Sequence, residues 1–91
     1  MDFNDWKILA SLYETQNITK AAKKLFLTQP TVTARIKKLE DYYGVPIIIR
    51  KQRGITFTPE GEVLAKHAKR MLVEQRMLEE KLIDMRYEVK G

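Results

Sequence analysis

Ninety-one residues with 17 Lys and Arg against 12 Asp and Glu, a net charge of +5, are 44% hydrophobic and 32% charged, which suits one small domain with a modest core and is not a disordered composition. The absence of cysteine excludes disulfides and thiolate sites, and the absence of any run of 18 apolar residues excludes a membrane-spanning helix. The excess charge is localised: residues 19–53 carry nine basic side chains and two acidic ones, +7, and the rest of the chain amounts to −2. A basic centre between acidic flanks points to a localised anionic partner, and cations scattered over short elements argue against a membrane surface.

The start, MDFNDWK, is acidic and runs directly into helical periodicity, unlike a secretory signal. Asp2 to Gln16 reads as a helix whose stripe is Phe3, Trp6, Leu9, Ala10 and Tyr13, widened by Ile8 and Leu12, with Asp2 and Asp5 in its first turn, where the helix dipole favours acids. Aromatic residues at this spacing are expected to be core. Asn17-Ile18 breaks the pattern. A second helix is expected after Thr19 as N-cap, with Ala21, Ala22 and Leu25 as a narrow apolar stripe that lets another helix come close, closed by Phe26-Leu27.

Thr28 is the next N-cap candidate, and Pro30 falls in the first turn after it, where a missing N–H costs little. Val32, Ile36, Leu39 and Tyr43 then recur at steps of four, three and four, one buried helical face over residues 29–43. The opposite face centres on Pro30, Ala34 and Lys37, flanked by Thr31, Thr33, Lys38 and, more to the side, Arg35. Hydroxyls, a small methyl and cations suit a helix lying against a polyanion: hydroxyls and amides bond base edges, methyls meet thymine methyls, and Lys and Arg hold phosphates. A solvated basic surface is the alternative for this face taken alone.

Gly44 is expected as a left-handed C-cap, and Pro46 prevents continuation. Ile47–Ile49, a basic tip Arg50-Lys51-Gln52-Arg53-Gly54, and Ile55–Phe57 read as a small hairpin. Two strands are not stable alone, so the hairpin must pack on the helices and its tip must project. Thr58-Pro59-Glu60-Gly61-Glu62 is a helix start, and no breaker follows to about Glu88. The stripe Leu64, Ala68, Met71, Gln75, Leu78, Leu82, Met85 and Val89 alternates steps of four and three, a heptad seam with one polar member. A helix this long cannot bury itself on so small a body, so its distal half requires a partner helix. His67 has no second ligand at metal spacing, Ser11 has no base at motif spacing, and no Gly-rich phosphate loop exists; nothing supports catalysis, a metal or a cofactor.

In the order helix, helix-turn-helix, hairpin and long helix, the chain resembles the N-terminal DNA-binding domain of LysR-type transcriptional regulators. The resemblance is carried by Asn17-Ile18-Thr19-Lys20-Ala21-Ala22, Leu25, Thr28-Gln29-Pro30-Thr31-Val32-Thr33, Ile36-Lys37-Lys38-Leu39-Glu40, Gly44-Val45-Pro46-Ile47, Arg50 and Thr58-Pro59-Glu60-Gly61, and it covers nearly all of the sequence. It implies a mainly α fold: a winged helix-turn-helix over residues 1–58, three helices plus a two-stranded wing, followed by a linker helix over 59–91 that pairs two chains through Leu64, Ala68, Met71, Gln75, Leu78, Leu82 and Met85. It implies a cytoplasmic, nucleoid-associated homodimer that binds an interrupted inverted repeat in double-stranded DNA near a promoter, with helix 29–43 in the major groove and wing 50–54 at the flanking minor groove. The resemblance places Gln29, Pro30, Thr31 and Thr33 at base edges and Arg50 and Arg53 near the backbone or minor groove. With the residues read above, Thr28, Ala34, Arg35, Lys37, Lys38 and Lys51 complete the expected DNA-binding set.

Family members are longer, with a C-terminal domain that binds a small-molecule effector; the sequence is expected to lack that domain. Ala34-Arg35 departs from the basic-then-polar pair many members carry. Ala34 offers a methyl contact and no bidentate guanine contact, and Arg35 is expected nearer a phosphate. A protein–protein module with a solvated basic face is the competing reading, and an enzyme is disfavoured.

Overall fold

The computed structural model describes residues 2–88, in the order α1 (Phe3–Thr15), α2 (Ile18–Lys24), α3 (Gln29–Tyr43), β1 (Ile48–Arg50), β2 (Ile55–Phe57) and α4 (Pro59–Glu88). Each boundary has a local cause. Asp2 caps α1 by accepting from the Asp5 N–H at 3.0 Å, while the Asp5 carboxylate accepts from the Asp2 N–H at 3.1 Å, a reciprocal capping box. Gln16 ends α1 in the left-handed region, at φ 54°. Asn17, not Thr19, caps α2: its Oδ1 accepts from the Lys20 N–H at 2.9 Å, and the helix starts two residues earlier than the sequence suggested. The reason is Ile18, which is buried and reaches the core only from inside the first turn.

α2 closes with paired bonds from the Leu27 N–H to the Ala22 carbonyl at 2.8 Å and from the Phe26 N–H to the Lys23 carbonyl at 3.2 Å. This is the closure that normally uses glycine at the left-handed position, which Phe26 occupies here at φ 57°. The Phe26 side chain is 96% exposed, so no burial offsets the strain. Phe26→Asn is therefore expected to raise stability by about 0.5–1 kcal/mol. A lowered thermal midpoint would instead show that the ring holds something in place.

The core is one cluster. Ile8, Leu9 and Leu12 of α1, Ala21 and Ala22 of α2, Val32, Ile36 and Leu39 of α3, Ile47, Ile55 and Phe57 of the hairpin and Ala65 and Ala68 of α4 are all buried. Trp6 and Tyr13 pack against it as expected, Trp6 edge-on to His67 at 5.0 Å and Tyr13 edge-on to Phe57 at 5.3 Å. Two aromatic expectations are corrected. Phe3 lies at the exposed end of α1, and Tyr43 is 42% exposed, because α3 runs on past the body before Gly44 (φ 70°) ends it.

β1 and β2 pair antiparallel, Ile48 opposite Phe57 and Arg50 opposite Ile55. Ile47 is not in the ladder. Its N–H donates to the Glu40 carboxylate at 2.8 Å, and its carbonyl accepts from the Thr58 N–H at 3.0 Å, which plugs it into the junction of α3 and α4. Arg50 in turn belongs to β1 rather than to the tip. The hairpin is anchored a second time where the Ile55 N–H donates to the Gln16 carbonyl at 2.9 Å. Thr58 caps α4 by accepting from the Gly61 N–H at 2.9 Å. Because Ala65 and Ala68 are core, the boundary expected at 58/59 falls inside the packed body. The distal half of α4 leaves it, giving an elongated shape of 58 × 26 × 18 Å.

Candidate nucleic-acid interface

The turn into α3 is built by Thr28, whose Oγ1 accepts from the Thr31 N–H at 3.3 Å and bonds the Thr31 hydroxyl at 2.8 Å. From this cap Gln29, Pro30, Thr31, Ala34, Lys37 and Lys38 all face outward. The exposed first turn of α3 also presents the positive end of the helix dipole, which favours an anion. Thr33 lies at the wing side, where the Arg50 guanidinium donates to its Oγ1 at 3.5 Å, the outer edge of a hydrogen bond. Lys51 and Arg53 are exposed at the tip. A concavity of about 230 Å³ between α2, α3 and the wing is lined by Thr19, Gln29, Thr33, Arg50, Lys51 and Gly54, among others. α3 and the wing thus present adjoining polar, cationic surfaces.

The residues 3–62 match the model of the lysR family described as bacterial regulatory helix-turn-helix proteins. The chain belongs to that family. It is 42% identical over all of its 91 residues to the uncharacterized HTH-type transcriptional regulator YraN of Bacillus subtilis (strain 168), covering 32% of that protein. Among solved structures, it matches the CbnR_DBD-DNA complex with a TM-score of 0.85 and 29% identity, over 93% of this chain and 98% of that one. It matches the BenM_DBD/catB site 1 DNA complex with a TM-score of 0.79 and 31% identity, over 92% and 97% of the two chains. The chain spans about a third of the length of the curated relatives it matches. It carries the helix-turn-helix, wing and long helix of the lysR family.

In this lysR-family chain Arg35 departs from its expected place. Its guanidinium donates to the Asp5 carboxylate at 3.0 Å and sits 3.6 Å from that of Asp2, tying α3 to the start of α1 rather than facing outward with Lys37 and Lys38. The Asp5 carboxylate raises the already high pKa of Arg35. The Asp2 carboxyl is held below its ordinary range, first by the Asp5 N–H it accepts and also by Arg35. Within residues 19–53 two other cations pair with carboxylates at the surface: Lys37 with Asp41 at 3.3 Å, and Lys24 with Glu14 at 2.8 Å, a contact that lowers the Glu14 pKa. Both are exposed pairs that a phosphate can displace at little cost.

One residue missed in the sequence joins the surface. Thr19, released from capping by Asn17, accepts a hydrogen bond from Gln29 Nε2. Along α4 the expected seam divides. Ala68 is fully buried in the protomer's own core, so it is not free for a second chain, and Leu64 is half-buried against that core. Met71 is half-buried, and Gln75, Leu78, Leu82 and Met85 are exposed; Val89 lies outside the described residues. Among the described residues no three His, Cys, Asp or Glu side chains cluster as a metal site, and no helix is long and apolar enough to cross a membrane.

Proposed function

We propose that the chain binds double-stranded DNA sequence-specifically as a homodimer and regulates transcription. α3 enters the major groove, with Gln29, Pro30, Thr31, Thr33 and Ala34 toward base edges and Lys37 and Lys38 toward phosphates. Arg50, Lys51 and Arg53 of the wing serve the flanking backbone or minor groove. Arg35 is a brace between α1 and α3 in this reading. The carrying observation is the outward, cation-flanked first half of α3 next to a basic wing tip. The similar chains in the CbnR and BenM complexes were seen with DNA, which supports the assignment.

The distal half of α4 pairs two copies through Met71, Gln75, Leu78, Leu82 and Met85, and two α3 helices related by a two-fold axis read an interrupted inverted repeat near a promoter. The site of action is the cytoplasm, at the nucleoid. A small effector, where one acts, binds a domain outside these 91 residues.

Affinity for a duplex should fall with salt at a slope of about −0.9 per neutralised phosphate. Gln29→Ala should cost about 1–3 kcal/mol on the preferred site and much less on random sequence. Anisotropy titrations across a salt series measure both. A flat salt response would return the basic face to solvent and favour a protein-interaction module, and equal losses on both duplexes would remove Gln29 from base reading.

A further inference from the structure

The pairing of Arg35 with Asp5 decides which cations are free for a phosphate, given the DNA-binding role proposed above. Arg35 lies on α3 one turn from exposed Thr31 and Lys38. It borders one concavity with Thr31 and the next with Lys38. By position it belongs with the outward cations of that helix. Its guanidinium is instead drawn back to Asp5 at 3.0 Å, with Asp2 at 3.6 Å.

The Asp5 side chain is only 12% exposed, and its second carboxylate oxygen accepts from the Asp2 N–H at 3.1 Å. A carboxylate so enclosed has little water to turn to when its cation leaves, and an unpaired buried charge is costly. The pairs Lys37–Asp41 and Lys24–Glu14 differ. All four of those side chains are at least half exposed, so each acid regains water when a phosphate takes its lysine.

We propose that Asp5 is a positioning residue that holds Arg35 off the DNA backbone, standing in for a phosphate. A guanidinium suits carboxylate and phosphate oxygens alike, and the Asp5 carboxylate is already in place. The chain therefore grips duplex DNA with one phosphate contact fewer than its basic side chains offer. A phosphate contact carries no sequence information. Withholding it weakens the hold on any duplex by the same factor and leaves base reading by α3 untouched.

The test is titration, across a salt series, of a duplex selected from a randomised pool and of a scrambled one. The chains are the unaltered one, Asp5→Asn, Arg35→Met and the double variant Asp5→Asn/Arg35→Met. Asparagine keeps an oxygen to accept from the Asp2 N–H, and turns toward Arg35 an amide nitrogen that cannot accept. Asp5→Asn should steepen the salt slope by about 0.9 and tighten binding about five- to tenfold at about 0.1 M salt, equally on both duplexes. The double variant should return to the unaltered slope and affinity. Arg35→Met should keep the unaltered slope, with a lower thermal midpoint from the stranded Asp5 carboxylate.

Unchanged slope and affinity in Asp5→Asn would overturn the proposal. So would a slope shallower by about 0.9 in Arg35→Met, which would put the guanidinium on a phosphate already. A double variant that keeps the gain of Asp5→Asn would overturn it too, by assigning that gain to the lost acid charge alone. Binding of neither duplex by any of the four chains would instead refute the DNA-binding function on which it rests.

Discussion

Leu78→Asp or Leu82→Asp should leave the body folded and convert the chain to a monomer that binds a duplex with two half-sites about 100-fold more weakly or worse. Both leucines are 52% exposed on the distal half of α4, in line with exposed Met85 and half-buried Met71. Covering such a leucine is worth about 1.5–3 kcal/mol, and a two-fold pairing covers each of them twice. An aspartate removes that gain and buries a charge against a partner strip that has no cation at Met71, Leu78, Leu82 or Met85 to receive it.

The DNA effect exceeds the direct loss, because pairing makes the second half-site encounter intramolecular. That advantage is commonly 10²–10⁴-fold and disappears with the dimer. Binding to a single half-site should change little. Sedimentation and titration on one-site and two-site duplexes measure both effects; an unchanged dimer would move the pairing surface elsewhere.

Gly61→Ala should destabilise the fold by about 3 kcal/mol. In an ordinary helix the same change stabilises by up to about 1 kcal/mol, so the sign itself is diagnostic. Gly61 sits in the first turn of α4 directly over the Ile47 backbone: a Cβ there would lie 2.0 Å from the Ile47 carbonyl oxygen. Neither side can yield cheaply. The same oxygen accepts from the Thr58 N–H at 3.0 Å, the Thr58 hydroxyl donates to the adjoining Pro46 carbonyl at 2.6 Å, and the Ile47 N–H is held by Glu40. Relief requires lifting α4 off the base of the wing and breaking that knot. Urea unfolding measures it, and a midpoint equal to or above that of the unaltered chain would show that the junction is looser than its geometry.

Most elements were legible because their signals are local. Thr28 with Pro30, Gly44 before Pro46, and Thr58-Pro59 each mark a boundary by backbone chemistry that needs no distant partner. Where two local signals compete, sequence alone is ambiguous. Asn17 and Thr19 are both good caps, and the choice falls on Asn17 because Ile18 must be inside the helix to reach the core.

Arg35 shows a different limit. Its angular position on α3 was readable, but its partners lie thirty residues away in α1, where Asp2 and Asp5 read as acids serving their own helix end. On α4, Ala68 of the expected stripe turns out to be core, since periodicity cannot say where a helix leaves its own body. Gly61 read only as part of a helix start, and the Ile47 carbonyl, which leaves no room for a Cβ, could not be seen from the sequence.

The junction at Gly61 also makes α4 a mechanical lever. Thirty residues of unbroken helix extend about 45 Å. Its near end is clasped to Ile47 at the foot of the hairpin, and the hairpin is pinned again to Gln16 at the end of α1. A twist or tilt imposed on the far end is therefore delivered to α1, along which α4 packs, and to the foot of the wing. α3 is reached through Ile47 and Glu40 and, by way of α1, through the Arg35–Asp5 pair. In such a linkage a torque at the distal tip reaches both Arg50, Lys51 and Arg53 on the wing and Gln29 on α3, so both parts of the proposed DNA surface are geared to the far end of α4.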